Sequence, residues 1–411
     1  MSNAEFYLQN NFLPTLTNID FNDDKDFAYY RDQRLYLFKL LRVPAGYFSN
    51  CSYLEIGPDS GENALFAATL GAELTCVDPN PLSNTKVKEL FDSYGSGILS
   101  SKLVSNQMIY FENFDSNTKF SFVACEGMLS TVKNKEGFYE KLASVVREYG
   151  FLMISYYSDL SIFSDLFQSK IFKDIIYNQL KTQSISESNI LEVKKFGVDL
   201  FRNKWSRINH LRSLDTWVMD VLINPVIRVE NGVNVILLLE KFQSLGLSYW
   251  SSWPRYEKTS DMRWHRKIQN LDDQLNVIAL EHKKMSLQFL LGYSTDFMHA
   301  IDNSIVLNEI EVLCKDINQT LDKSDWPRLK IQFKSLLSLL YSNTCFVQTQ
   351  DFKKIISIVN MLLFIIDLLI EKKYSELIEV VKLELVPSQV TFDFGNYWGQ
   401  PNHYLALYKD C

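Results

Sequence analysis

At 411 residues and 46% hydrophobic content, the chain is long enough for one large core or two moderate ones, and its composition excludes a disordered chain. The formal net charge of −7, with Lys and Arg dispersed, lacks the basic stripe that a phosphate backbone requires, so nucleic acid is not an expected partner. Cys51, Cys76, Cys125, Cys314, Cys345 and Cys411 stand without C-x-x-C pairs and read as buried thiols; with no export signal in MSNAEFYLQNNFLP, the expected location is cytoplasmic.

The first expected element is an aromatic-rich helix over roughly Asp26 to Leu41, in YYRDQRLYLFKLLRVP, which Pro44 helps to end. It could cover a ligand pocket, or Tyr29, Arg31 and Arg34 could pack on a sheet edge or face solvent. Between residues 50 and 156, short apolar runs alternate with helical patterns, as a parallel α/β sheet requires. Strands are expected at Cys51 to Ile56, Glu73 to Val77, Lys102 to Ser105, Phe120 to Cys125 and Phe151 to Tyr156, with helices near 61–70, 82–94 and 136–148.

The rhythm then stops and resumes with VNVILLLEKFQSLG and LSYWSSW, a helix and a sixth strand at 247–252. From about Arg255 to Phe394 the pattern is helical: Ile310, Leu313, Ile317 and Leu321 share one face, and similar stripes run from Leu329 to Leu340 and from Phe352 to Ile370. An antiparallel bundle follows, its joint at Ser324 to Pro327 and its end near Leu385, before Pro387. HYLALYK supplies a seventh strand at 403–409. The apolar run Ile355 to Ile370 is short for a membrane span and carries Ser357, Asn360 and Asp367, so a buried helix is expected.

The stretch YLEIGPDSGENALFAATLGAELTCVDPNP, Tyr53 to Pro81, ends a strand at Glu55 and opens a helix through a turn with Gly57 and Gly61. Without side chains there the backbone can turn sharply and approach a ligand, while the helix start offers free N–H groups. Asp78 ends the next strand, where a carboxylate can accept both hydroxyls of an adenosine ribose. Such a ribose belongs to S-adenosylmethionine (SAM) or to NAD. The Gly57-Pro58-Asp59-Ser60-Gly61 spacing lacks the middle glycine of a pyrophosphate-binding turn and weakens the NAD reading.

Residues 53–81 resemble motif I and the following acidic position of the class I SAM-dependent methyltransferases. The resemblance implies a Rossmann-like sheet of about seven strands with large helical insertions, SAM as cofactor, and cofactor contacts from Glu55, Gly57, Pro58, Gly61, Asp78 and Pro79. The family's fourth-strand segment is similar to KFSFVACEGML, which places Cys125 and Glu126 beside SAM, although this chain has Ser121 where many members have aspartate. Glu112 or Asp115, in FENFD, would contact adenine. The implied division is a helical cap at 1–50, a SAM-binding core at 51–156, a substrate-binding insertion at 157–232, a core helix and strand at 233–254, a helical bundle at 255–395, and a final strand at 396–411.

Ligands of open α/β sheets bind at the carboxyl ends of the strands, so the insertions should define the acceptor. KWSRINHLRSLDTWVMDVLINP crowds Trp205, Arg212 and Asp220 together as a pocket wall would, and SYWSSWPRYEKTSDMRWHR adds Trp250, Arg255 and Arg263, the arginines of this second run being able to clamp a phosphate or carboxylate. In the first of these runs, Trp217, Val218, Val221 and Leu222 could equally form an apolar helix face with Asp220 opposite. The same runs resemble bacterial methyltransferases linked to surface-sugar biosynthesis. The expected activity is methyl transfer to a small-molecule or glycan-like acceptor; the alternative is a non-catalytic binding or assembly protein on the same fold. The catalytic candidates are Glu126, His210 and His265, which could take the acceptor's proton, and Tyr156, which with Tyr157 could orient the acceptor. No metal spacing is present, and a homo-oligomer formed through the bundle is the remaining partner expectation.

Overall fold

The computed structural model describes the chain apart from residues 1–2, 15–16, 18, 116, 130–131, 133, 183, 209–211, 226–227, 257–270, 302, 344–348, 386–391, 400–401 and 411. Seven strands, β1 (Ser52–Ile56), β2 (Glu73–Val77), β3 (Leu103–Gln107), β4 (Phe120–Cys125), β5 (Val146–Tyr157), β6 (Leu247–Trp253) and β7 (Asn402–Lys409), form one sheet in the order β3-β2-β1-β4-β5-β7-β6. All pairings are parallel except those of β7, which runs antiparallel to β5 and β6. This is the Rossmann-like sheet of seven strands with helical insertions that the sequence leads one to expect. The order reverses between β1 and β4, which places a ligand crevice at their carboxyl ends.

The central strands are apolar throughout because both faces of the sheet are covered. Tyr53, Phe122 and Met153 point into one core with Phe38, Phe48 and Phe66, whereas Leu54, Val123 and Ile154 point into the other. Alternation along each strand sends neighbouring residues to opposite cores. The first core lies under α2 (Asp24–Leu40), α3 (Glu62–Thr69) and α4 (Pro81–Ser93), which follow a short α1 (Asn3–Gln9). Asp23 starts α2 by accepting the N–H groups of Lys25 and Asp26, so this helix begins slightly before the expected position.

The second core lies under α5 (Lys135–Val145) and the inserted helices. Here β5 is longer than the apolar run alone indicates. It begins at Val146, paired with Phe120, and continues across an irregularity in which Tyr149 has φ 59°, so Gly150 lies within the strand and not at a turn before it.

The first insertion provides α6 (Phe163–Gln179), α7 (Ile190–Trp205) and the short α8 (Leu214–Trp217), which runs into a π-helical turn at Val218–Ile223. Every residue of that turn is buried, Asp220 included, so Asp220 does not sit on a solvent-facing side opposite the apolar residues. After α9 (Val235–Ser244), the second insertion supplies α10 (Leu271–Lys284), α11 (Ser286–Leu291), α12 (Ser304–Asp322), α13 (Trp326–Ser342), α14 (Gln350–Ile370) and α15 (Tyr374–Lys382). Helices α12 to α15 pack each on the next, with α12 against α6 and α15 against α7, so the two insertions share one core. The expected stripe is realised: Ile310, Ile317 and Leu321 are fully buried and Leu313 packs beside them. The last helix ends at Lys382, with Leu383 in the left-handed conformation, three residues before the expected end; Pro387 lies outside the described residues. Among the described residues, no helix is long and apolar enough to cross a membrane.

One backbone contact locks the second insertion to the segment leading into β7. Gly292 has φ 72°, and a Cβ there would lie 2.1 Å from Cα of Gly399. Backbone cannot yield as a flexible side chain does, so Gly292→Ala is expected to destabilise the protein by about 2 kcal/mol, read as a lower urea midpoint at unchanged slope. A variant with the wild-type midpoint would show that the two segments are not in this contact.

Candidate active site

The crevice is built from the ends of three adjacent strands. Glu55 pairs in register with Cys76 on β2 and Ala124 on β4, so the residues that follow each strand are carried to one edge. Glu55, Gly57, Pro58 and Gly61 come from β1 and its turn, Asp78 and Pro79 from the end of β2, and Cys125 and Glu126 from the end of β4. Gly57 adopts φ 69°, a conformation that disfavours any side chain, and Gly61 precedes the first residue of α3. A Cβ on Gly57 would meet the Met128 sulfur at 2.7 Å, so the floor of the turn is exposed only to a movable side chain.

Asp78 receives the Asn80 N–H at 2.8 Å, and its burial raises its pKa while the Ser83 hydroxyl and the Asp59 N–H oppose that rise. The carboxylate is thereby held in one orientation at the end of β2. Asn80 in turn caps α4 and donates to the Phe12 carbonyl at 3.2 Å, which brings the segment after α1 over this corner of the crevice.

Glu55 is almost wholly enclosed. One carboxylate oxygen, Oε2, has no partner among the described residues. Burial, with the Glu126 carboxylate close by, pushes its pKa up to about 8 against the opposing pull of Arg34. Glu126 is clamped by Arg34 of α2 through two hydrogen bonds, at 2.6 and 3.1 Å, and also accepts from Asn63 at 3.3 Å. On the aromatic-rich helix Arg34 is thereby buried against the strand edge at Glu126, whereas Tyr29 and Arg31 remain exposed.

The raised acid has a sign that can be checked. Folded Glu55 retains its proton up to about pH 8, whereas the unfolded carboxyl loses it near 4.5, so its contribution to stability is present at low pH and is lost as pH rises through that window. Glu55→Gln should match the wild type in denaturant melts at pH 4 and exceed it at pH 9 by an amount on the order of 4 to 5 kcal/mol. Equal stability of the two proteins at both values would contradict the enclosed carboxyl.

The other predicted residues are placed differently. The Cys125 side chain packs in the second core among Leu54, Ile56 and Val123, and only its backbone reaches the edge. Tyr156 is fully buried, with its hydroxyl 3.3 Å from that of Tyr256, which stands 3.2 Å from Nδ1 of His403. Glu112 and Asp115 are both exposed beyond β3. His210, Arg263 and His265 lie outside the described residues.

A cluster that sequence reading did not assemble lies beyond the end of β5. Asp220 accepts from the Tyr7 hydroxyl at 2.7 Å and from Arg212 at 2.5 Å. Asp165, in the first turn of α6 and only 6% exposed, is pushed up to about pH 7 by burial and by Asp220, while Arg212 and Lys204 pull it down. Tyr157, the last residue of β5, feels both carboxylates. Beside them Trp205, Trp217 and Trp398 pack ring against ring, which gives the cluster an aromatic wall. The only sequence signal for Asp165 was a lone acid inside the otherwise apolar start FSDLF.

Residues 23–221 match the family model of a methyltransferase domain. No curated protein matches the sequence. Among solved structures, this chain is similar to the N-methyltransferase NodS from Bradyrhizobium japonicum WM9 in complex with S-adenosylhomocysteine, at 15% identity over 34% of this chain and 70% of that one, TM-score 0.27. It is similar also to magnesium protoporphyrin IX methyltransferase from Synechocystis PCC 6803 with bound SAM, at 15% identity over 31% of this chain and 59% of that one, TM-score 0.25. PKMT2 from Rickettsia typhi in complex with AdoHcy matches at 18% identity over 53% of this chain and 43% of that one, TM-score 0.36.

Proposed function

We propose that this methyltransferase transfers the methyl group of SAM to a small-molecule or glycan-like acceptor held between the carboxyl edge of the sheet and the two insertions. In this reading residues 51–156 hold the cofactor, while 157–232 and 255–395 shape the acceptor site. The observation that carries it is the buried Glu55 oxygen without a partner, set beside the left-handed Gly57 turn and the fixed Asp78 carboxylate. An enclosed carboxylate lacking a donor is costly unless a ligand supplies one, and a cationic ammonium such as that of the methionine part of SAM fits that need. Asp78 would accept the ribose hydroxyls, and the backbone from Gly57 to Gly61 would lie along the cofactor.

Bound SAM supplies a methyl group on a sulfonium sulfur, open to in-line displacement. The protein's own task is to align the acceptor and take its proton. Asp165 is suited to the second role, since a carboxyl near pH 7 is both available and basic enough at neutral pH. The acceptor oxygen or nitrogen forms the new bond to the methyl carbon, the sulfur keeps the electron pair of the broken bond, and the acceptor proton passes to Asp165. The charges of Arg212 and Lys204 favour the ionised carboxyl, while burial and the like charge of Asp220 favour the protonated one.

The test is incubation of the protein with SAM labelled in the methyl group and separated small-molecule and polysaccharide fractions. Label entering one fraction with wild type, and much less with Asp165→Asn, is the expected outcome. Label entering protein or nucleic acid alone would overturn the acceptor class.

A further inference from the structure

A cavity of about 590 Å³ opens away from the crevice, between α1, α6, the segment that follows α6 and the chain beyond the π-helical turn. None of the crevice residues Glu55, Gly57, Asp78 and Glu126 lines it. Three cations do: Lys170 and Lys173 on α6, and Arg228. Lys170 donates to the Asp322 carbonyl and lies 3.8 Å from its carboxylate, so its charge is partly answered. Lys173 and Arg228 make no ion pair among the described residues; Glu187, the other acid on the lining, is exposed, as Arg228 is. Phe6, Ile223 and Tyr177 form the apolar part of the wall.

Three cations face two carboxylates on this lining, Asp322 and Glu187, so an excess of positive charge remains that an entering anion would offset. Burial and the neighbouring Lys170 and Arg228 push the Lys173 ammonium down to about 8, against the opposing pull of Asp322. A planar carboxylate would satisfy one such cation. Two unanswered cations with a third beside them suit the larger charge and multiple oxygens of a phosphate. The volume exceeds what a bare anion fills, and Phe6, Ile223 and Tyr177 would cover an apolar or ring-shaped remainder.

We propose that this cavity is a second ligand site, separate from the cofactor crevice, that takes a phosphate monoester with an apolar body. The test is calorimetric titration of the full chain with phenyl phosphate and, in parallel, with inorganic phosphate. Phenyl phosphate is expected to bind several-fold more tightly than inorganic phosphate. The Lys173→Met/Arg228→Met double variant should weaken phenyl phosphate at least tenfold, whereas Lys353→Met, which removes one exposed charge on α14, should leave it unchanged. Unchanged S-adenosylhomocysteine affinity and circular dichroism show that the double variant is folded; should it fail to fold, Lys173→Gln alone takes its place, with a loss of at least threefold expected. The proposal is overturned by no binding at millimolar phenyl phosphate, by equal binding in the double variant, or by an equal loss in Lys353→Met.

Discussion

Asp78→Ala is expected to weaken SAM and S-adenosylhomocysteine about 100-fold, close to 3 kcal/mol, with little change in the melting temperature. The carboxylate ends β2 one strand away from the Gly57 turn, and the Asn80 N–H at 2.8 Å fixes its direction before any ligand arrives. Hydrogen bonds from two ribose hydroxyls to a charged acceptor exceed neutral ones in strength, and a preordered acceptor spends no entropy in making them. Asp78→Asn keeps the shape and loses the charge, so a smaller loss of about tenfold is expected. Calorimetric titration of both variants with S-adenosylhomocysteine checks the pair. Equal affinities for wild type and Asp78→Ala would remove Asp78 from the cofactor site.

Asp165→Asn is expected to lower turnover by about 100- to 10,000-fold while changing the KM for SAM less than threefold, the range associated with loss of a general base. The wild-type rate should rise with pH and level off above about 7, where the carboxyl has lost its proton, and the variant should lose that rise. Stability gives a separate readout. The folded carboxyl keeps its proton up to about pH 7, against 3.8 for an ordinary one, so its contribution to wild-type stability is lost as pH climbs between those values, and Asn is spared that loss. Initial rates of labelled methyl transfer from pH 5.5 to 9, with denaturant melts at the same values, measure both. A variant that retains the wild-type pH profile would assign the proton to another group.

The sheet was legible because its signals are local. Apolar runs bounded by helical patterns gave the strands, and the succession of Glu55, Gly57, Gly61 and Asp78 along Tyr53 to Pro81 gave the crevice, since strand ends and turns are neighbours in sequence. What escaped depends on long-range contact. The Arg34–Glu126 pair joins residues 92 positions apart, and Tyr7 reaches Asp220 across 213 positions, separations that no periodicity encodes. Tyr156 illustrates the converse: its position at the end of a strand suggested a crevice residue, but the side chain turns into the core shared with Tyr256 and His403. Asp220 read as the polar side of an amphipathic helix, whereas a π-helical turn and the Arg212 partner bury it. The start of β5 was hidden because Arg147, Glu148 and Tyr149 are exposed and break the apolar run, although Val146 before them pairs with β4.

The most direct test of the cofactor crevice is calorimetric titration of the full chain with S-adenosylhomocysteine at pH 7.5, repeated in buffers of different ionisation enthalpy. The account predicts saturable one-to-one binding with release of a fraction of a proton, since a cation brought to the buried Glu55 lowers a pKa that stands near 8 in the free protein. Absence of binding, or binding that neither releases protons nor responds to Glu55→Gln and Asp78→Ala, would contradict it.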